Sequence, residues 1–180
     1  MEYVTHAHRF ADIILNSDYA IKQEIEEVIQ FISFETILNE FEQENLRRTQ
    51  AGKRLAQGKQ STINALFRRE FNARGWETEK NVFNDRENDL AIDFWKHNIG
   101  IDVAFNHRSF IGGDLLRLQA AAEVKTIIKV GVYICPTKEF AKIVSEKDGS
   151  SMVVFERTKW YLENFKPVLT APIFLVGLMG

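Results

Sequence analysis

Cysteine, proline and long apolar runs are all scarce in this chain of 180 residues. Its one cysteine, Cys135, excludes an internal disulfide and fits a reducing compartment. Cys135 stands within "KVGVYICP", an apolar run that reads as a buried strand, so a packed thiol is expected rather than a nucleophile. With 3 prolines, 45% hydrophobic and 27% charged residues, the composition excludes a disordered polymer and describes an ordered globular protein. No apolar stretch approaches the length of a membrane span, and "MEYVTHAHRF" lacks the basic start and apolar run of a secretion signal. A cytoplasmic protein without membrane contact is the expectation. An excess of one charge is also missing. The formal net charge of -2 neither requires nor excludes a nucleic-acid partner, because a basic cleft can coexist with an acidic exterior.

The length suits a single domain, able to bury roughly two-thirds of its unfolded surface. Within it, residues 1–58 read as an N-terminal helical part and basic loop, and residues 59–180 as a mixed core. Apolar residues at Ile21, Ile25, Val28, Ile29, Ile32, Ile37, Leu38 and Phe41 follow helical spacing, predicting one long helix or two joined near Ser33. Between Arg47 and Arg69 lie seven basic and no acidic residues, partly in the Gly-containing loop "TQAGKRLAQGKQST". "STINALFRREFNARGW" predicts a helix capped at Ser61 or Thr62 and stopped at Gly75. Strands are expected at "WETEKNVF", "NDLAIDFW" and "IGIDVAFN", the last two alternating as in a half-buried antiparallel sheet. The helix "GGDLLRLQAAAEVKTI", the strand "IKVGVYICP", the helix "TKEFAKIVSEK", a short helix around "TKWYLENF" and the strand "APIFLVGL" follow. The expected class is α/β (α+β), a central mixed sheet flanked by helices.

One spacing carries chemistry. If "HN" forms the turn after "AIDFWK", Lys96 pairs with Ile99, Trp95 with Gly100 and Phe94 with Ile101, which sets Asp93 against Asp102. Opposed side chains lie about 4.5–5.5 Å apart at Cβ, where like charges repel, so a proton or a divalent cation must offset them. Two hard carboxylates with a nearby carbonyl suit Mg²⁺. Spacing alone leaves a second reading open: two solvated aspartates on an edge hairpin.

The wider pattern, "ID-x8-D-V-A-F" followed by "NHRSF" and a helix, resembles the active-site core of the PD-(D/E)xK nucleases. More narrowly, it resembles restriction endonucleases of the BglII and BstYI type. There an aspartate is followed nine positions later by Glu-x-Gln and a phenylalanine, then a short polar loop ending in Ser-Phe. "INALFRREFNARGW", "VGVYICPTKEFAK" and "TAPIFLVGLMG" extend the likeness over roughly residues 60–180.

The resemblance implies a homodimer that encloses double-stranded DNA and hydrolyses its phosphodiesters with Mg²⁺. It places Asp93, Asp102 and the Val103 carbonyl on the metal and Asn64 in support. Asn106, His107, Arg108 and Ser109 would lie at the major groove, where Asn and Arg can read base edges. Ser150, Ser151 and Arg157 of "GSSMVVFER" would form a second DNA-contacting loop.

Ala104 is the departure. The family has Gln there, and related nucleases have Lys or Glu, to position water and stabilise charge at the phosphate. Three accounts follow: deliberate inactivation, natural loss, or replacement by another residue, with His107 and Lys125 as conceivable substitutes. One uncompensated change in an intact core points to the first. The competing functions are thus a restriction endonuclease, active or inactivated, a non-cleaving DNA-binding protein on the same fold, and an interaction domain with surface acids.

Elsewhere, blander expectations prevail: His6 and His8 at the surface, Trp76, Trp95 and Trp160 in the core, and Glu70 solvated. Arg117 is expected at phosphate or at a dimer partner, with nothing to choose between them.

Overall fold

Seven consecutive buried residues organise the molecule. In the computed structural model, which describes residues 1–83, 85, 87 and 90–180, Val130–Pro136 forms a strand with hydrogen-bonded neighbours on both sides. The described strands are β1 (Tyr3–His8), β2 (Glu77–Asn81), β3 (Ala91–Lys96), β4 (Ile99–Val103), β5 (Val130–Pro136) and β6 (Ile173–Leu178). They form one mixed sheet in the order β1-β6-β5-β4-β3-β2. β5 pairs in parallel with both β4 and β6, and the outer pairings, β1 with β6 and β2 and β3 with their neighbours, are antiparallel. Parallel strands covered on both faces read as continuous apolar runs, which is why "VGVYICP" shows no alternation.

The helices are α1 (Ala11–Asn16), α2 (Tyr19–Phe31), α3 (Phe34–Gln50), α4 (Gln60–Ala73), α5 (Ile111–Gln119), α6 (Lys138–Val144) and α7 (Phe155–Asn164). α1 to α4 and α6 pack one core against the sheet, through residues such as Ile25, Phe67, Phe71 and Phe140. α5 and α7 build the second core on the other face, with Leu115, Leu118 and Leu162 against Tyr133 and Leu175. The expected mixed sheet flanked by helices is therefore present, as a three-layer arrangement. Among the described residues no helix is long and apolar enough to cross a membrane.

Several expectations change. The chain's first strand, β1, lies at the sheet edge in the part read as helical; "YVTHAH" has too little apolar alternation to announce it. β4 is not half-buried, because α5 covers the face assigned to solvent. The strand expected at "NDLAIDFW" begins at Ala91, and its Asn88 and Asp89 lie outside the described residues. The acidic amphipathic stretch is two helices, and Ser33 caps the second by accepting from the Thr36 N–H at 3.0 Å.

α4 starts at Gln60 instead of being capped by Ser61 or Thr62. Thr62 is buried inside it, its hydroxyl donating to Glu44 at 2.9 Å. Its predicted stop holds: Gly75 adopts φ +75°, its N–H donates to the Asn72 carbonyl and the Trp76 N–H to the Phe71 carbonyl. With Trp76 packed edge-on against Phe71 at 5.1 Å, this is a Schellman motif complete with its hydrophobic contact. His8 is buried, with its Nε2 2.7 Å from the Leu169 carbonyl, and Trp160 is exposed; both reverse the expectation. Glu70 is half-buried and paired with Arg69 and Arg74.

Candidate active site

The β3–β4 turn takes two residues, His97 and Asn98, both with positive φ (50° and 60°). Two consecutive left-handed residues give a hairpin turn whose twist matches its strands, and asparagine tolerates that conformation well. The register follows: Lys96 with Ile99, Trp95 with Gly100 and Phe94 with Ile101. These are the pairs expected from the sequence.

Beyond Phe94 the ladder changes character. The Asp93 N–H donates to Asp102 Oδ1 at 3.2 Å, and the Val103 N–H donates to Asp93 Oδ2 at 2.8 Å. Two carboxylates thus replace backbone carbonyls as acceptors where the strands separate. Asp102 is 1% exposed and Asp93 half-buried.

α5 supplies the counter-charge. Arg117 donates from Nε and Nη2 to Asp102 Oδ2 at 3.1 and 2.9 Å, and from Nη2 to Asp114 Oδ1 at 3.2 Å. Asp114, one helical turn before Arg117, also accepts from the Tyr133 hydroxyl at 2.7 Å. Tyr133 lies opposite Asp102 in the β4–β5 register. The arrangement therefore runs Asp93–Asp102–Arg117–Asp114–Tyr133, from the hairpin through α5 to the central strand.

Asp93, Asp102, Asp114 and Arg117 floor a cavity of about 350 Å³, walled by Asn64 and Arg68 of α4, Val103, Ala104, Phe105, Asn106 and Phe110. Asn64 and Arg68 are four residues apart on one helix face, which brings both to the same wall. Arg68 is exposed and also bonds Glu79 at 2.8 Å. Ala104 is 3% exposed and packs in the second core, its N–H donating to the Ile134 carbonyl at 2.8 Å.

Burial drives the Asp102 carboxyl up to about 7, against the pull of Arg117 and with the push of Asp93. Asp93 is raised too, chiefly by burial, although the Val103 N–H and Arg117 oppose it. Burial works against the Arg117 cation, but Asp102 and Asp114 outweigh it and hold the guanidinium more firmly protonated. Burial and Asp114 keep Tyr133 a phenol, and burial keeps Cys135 a thiol.

Among the described residues, no three His, Cys, Asp or Glu side chains are placed to hold a metal together. Asp114 is taken up by Arg117 and Tyr133 and both Asp102 oxygens accept hydrogen bonds, so within the Asp93–Asp102 pair Asp93 Oδ1 is the oxygen with no hydrogen-bond partner among the described residues. Three carboxylates face one largely buried guanidinium, with Arg68 shared at the rim. That surplus of negative, hard oxygen donors fits a divalent cation of the Mg²⁺ kind.

The other expected site residues fall into two groups. Asn106, His107, Arg108 and Ser109 are all exposed, but of the four only Asn106 lines the main cavity, and its carbonyl accepts from the Val153 N–H at 2.9 Å. His107 forms a β-bridge with Met152, so this loop and the Ser150–Ser151 segment make one continuous rim. A shallower pocket between them is lined by Gln60, Asn106, His107 and Ser151, among others.

Arg157 does not share that loop. It lies on the first turn of α7 and lines neither cavity. Of the substitutes considered for position 104, His107 bonds Ser109 outside the main cavity, and Lys125 sits 5.2 Å above the Phe83 ring. Arg117, expected at phosphate or a dimer partner, is held by Asp102 and Asp114. Asp114 and Arg68 are the site residues that sequence reading missed. Their helical spacings, Asp-x-x-Arg on α5 and Asn-x-x-x-Arg on α4, were the available signals.

Residues 3–178 match the sequence profile of the family described as "Restriction endonuclease BglII/BglIII". No curated protein sequence matches. Among solved structures, the fold is similar to the crystal structure of restriction endonuclease BglII complexed with a DNA 16-mer. That similarity has a TM-score of 0.71 at 20% identity and covers 100% of this chain and 79% of the other. The profile spans nearly the whole chain, and the chain belongs to the BglII/BglIII restriction endonuclease family.

Proposed function

We propose that the protein is a Mg²⁺-dependent endonuclease that cuts double-stranded DNA at a specific sequence as a cytoplasmic homodimer, all 180 residues forming one nuclease domain. The observation that carries this is the facing pair Asp93–Asp102, Asp102 buried and Asp93 half-buried, at the floor of a polar cavity and undercompensated in charge. In this reading Asp93, Asp102 and the Val103 carbonyl hold the cation. Bound Mg²⁺ supplies neutralisation of the phosphodiester and a more acidic water. Asn64 and Arg68 project from α4 to orient the DNA strand at the cavity wall. Asn106 and Arg108 have donor patterns suited to base edges, and Ser109, Ser150 and Ser151 supply hydroxyls along the same rim. His107 holds this loop through its bond to Ser109. Arg157, away from the rim, is left to backbone contact.

Ala104 favours a second reading, a chain that recognises duplex DNA but is inactivated for cutting. The two are separated by incubating the protein with long duplex DNA of mixed sequence, with and without Mg²⁺, and sequencing any new ends. Discrete fragments with a shared terminal sequence are expected only with Mg²⁺. Retained duplex without fragments establishes the second reading, and neither binding nor cleavage overturns both. Sedimentation in the presence of duplex tests the dimer.

A further inference from the structure

Resting on that nuclease reading, we propose that Arg117 supplies the cationic hydrogen-bonding group that position 104 lacks, and donates to the phosphate being cleaved. Three observations support it.

First, the donors are unequally used. Nε and Nη2 bind Asp102 and Asp114, whereas Nη1 has no acceptor among the described residues. An arginine carries five N–H donors in a fixed fork, so Nη1 brings two to a side chain that lines the cavity. Arg117 can therefore bind phosphate without leaving the carboxylates.

Second, it is held by more than its ion pair. Tyr133, fully buried in β5, fixes Asp114, and Asp114 gives the guanidinium a second anchor at Nη2, which it shares with Asp102. A counter-ion for Asp102 alone would not need this second support. A donor aimed at a fixed point would, because preorganised donors stabilise developing charge without rearranging.

Third, Ala104 and Arg117 line the same cavity. A small side chain at 104 leaves the space beside Asp102 to the guanidinium. The replacement acts on charge and position only, since an arginine does not deprotonate to serve as a base.

The test compares the full chain, Arg117→Ala, Arg117→Lys, Ala104→Lys and the double variant Arg117→Ala/Ala104→Lys. It uses Mg²⁺-dependent cleavage of long duplex DNA beside metal-free duplex binding by anisotropy. Arg117→Ala is expected to lose roughly 100-fold or more in cleavage, the loss typical of one preorganised donor, with duplex binding retained. Arg117→Lys keeps the charge and guards against misfolding, and is expected to cleave at an intermediate rate. Ala104→Lys alone crowds two cations around Asp102 and gives no gain, whereas the double variant regains cleavage. A purely structural arginine would not be rescued from position 104.

Unaltered cleavage by a folded Arg117→Ala overturns the inference and leaves the nuclease reading intact. So does gain of cleavage by Ala104→Lys alone from an inactive parent. A parent that binds duplex without cutting it also overturns the inference, because Arg117 is then not a working replacement. A parent that neither binds nor cuts removes the nuclease reading itself.

Discussion

Two charged clusters lie along β3, one at its turn end and one around Asp93, and they are built differently. At the turn end, Lys96 donates to both Glu24 oxygens at 2.9 and 2.8 Å and to the Arg74 carbonyl at 2.8 Å, while Trp76 Nε1 donates to Glu24 at 3.1 Å. One cation meets one anion, and the three ammonium donors are all used. At the second, Asp102 and Asp114 share Arg117 beside Asp93, and the guanidinium keeps two donors unused among the described residues. A closed account of charge and donors ties α2 and α4 to the sheet. An open one, in a cavity, is a place where something else binds.

The sharpest way to break this contrast is one substitution in each cluster. Asp102→Asn is expected to reduce Mg²⁺-dependent cleavage by about 1,000-fold, equivalent to roughly 4 kcal/mol, while the protein stays folded. Lys96→Met should do the opposite. It leaves Glu24 short of its partner and costs about 1–3 kcal/mol in urea unfolding, with cleavage per folded molecule unchanged. If Lys96→Met removed cleavage and kept stability, the division of labour would be wrong.

A smaller effect concerns pH. The raised Asp93 and Asp102 carboxyls hold protons in the folded chain that the unfolded chain has released. Their contribution is thus fully present below the ordinary carboxylate range and is lost as pH rises toward about 7. Mg²⁺ binds the deprotonated pair, so its gain in Tm should grow from about pH 5 to about pH 8. Thermal melts with and without Mg²⁺ test this, and Asp102→Asn should flatten both trends.

The smallest effect belongs to the turn end. Gly75→Ala would force a methyl into φ +75° with no atom within 4 Å of it, so the cost is backbone strain alone, about 1–2 kcal/mol. Because Gly75 ends the helix turn that presents the Arg74 carbonyl to Lys96, melting should fall with no change in cleavage.

Local rules made the hairpin readable. Alternation on two short strands around "HN" allowed one register, and that register set Asp93 beside Asp102. The Gly75 stop was legible for the same reason, because a left-handed C-terminal glycine is a local requirement. What escaped depends on contacts between distant segments. The face bearing Asp102 and Ala104 looked solvated because nothing in "IGIDVAF" reveals that α5 lies over it. Arg117 had no assigned partner because its carboxylate is 15 residues away on another element. His8 was placed outside because burial of an edge-strand histidine depends on the distant Leu169 carbonyl.

The carboxylates that replace carbonyls beyond Phe94 have a spectroscopic consequence. The amide protons of Asp93 and Val103 are held by Asp102 Oδ1 and Asp93 Oδ2. Whatever draws on those oxygens draws on the last rungs of the ladder. Chemical shifts and exchange rates at these two amides therefore give a built-in gauge of the electron demand on the carboxylate pair, readable without DNA and without turnover.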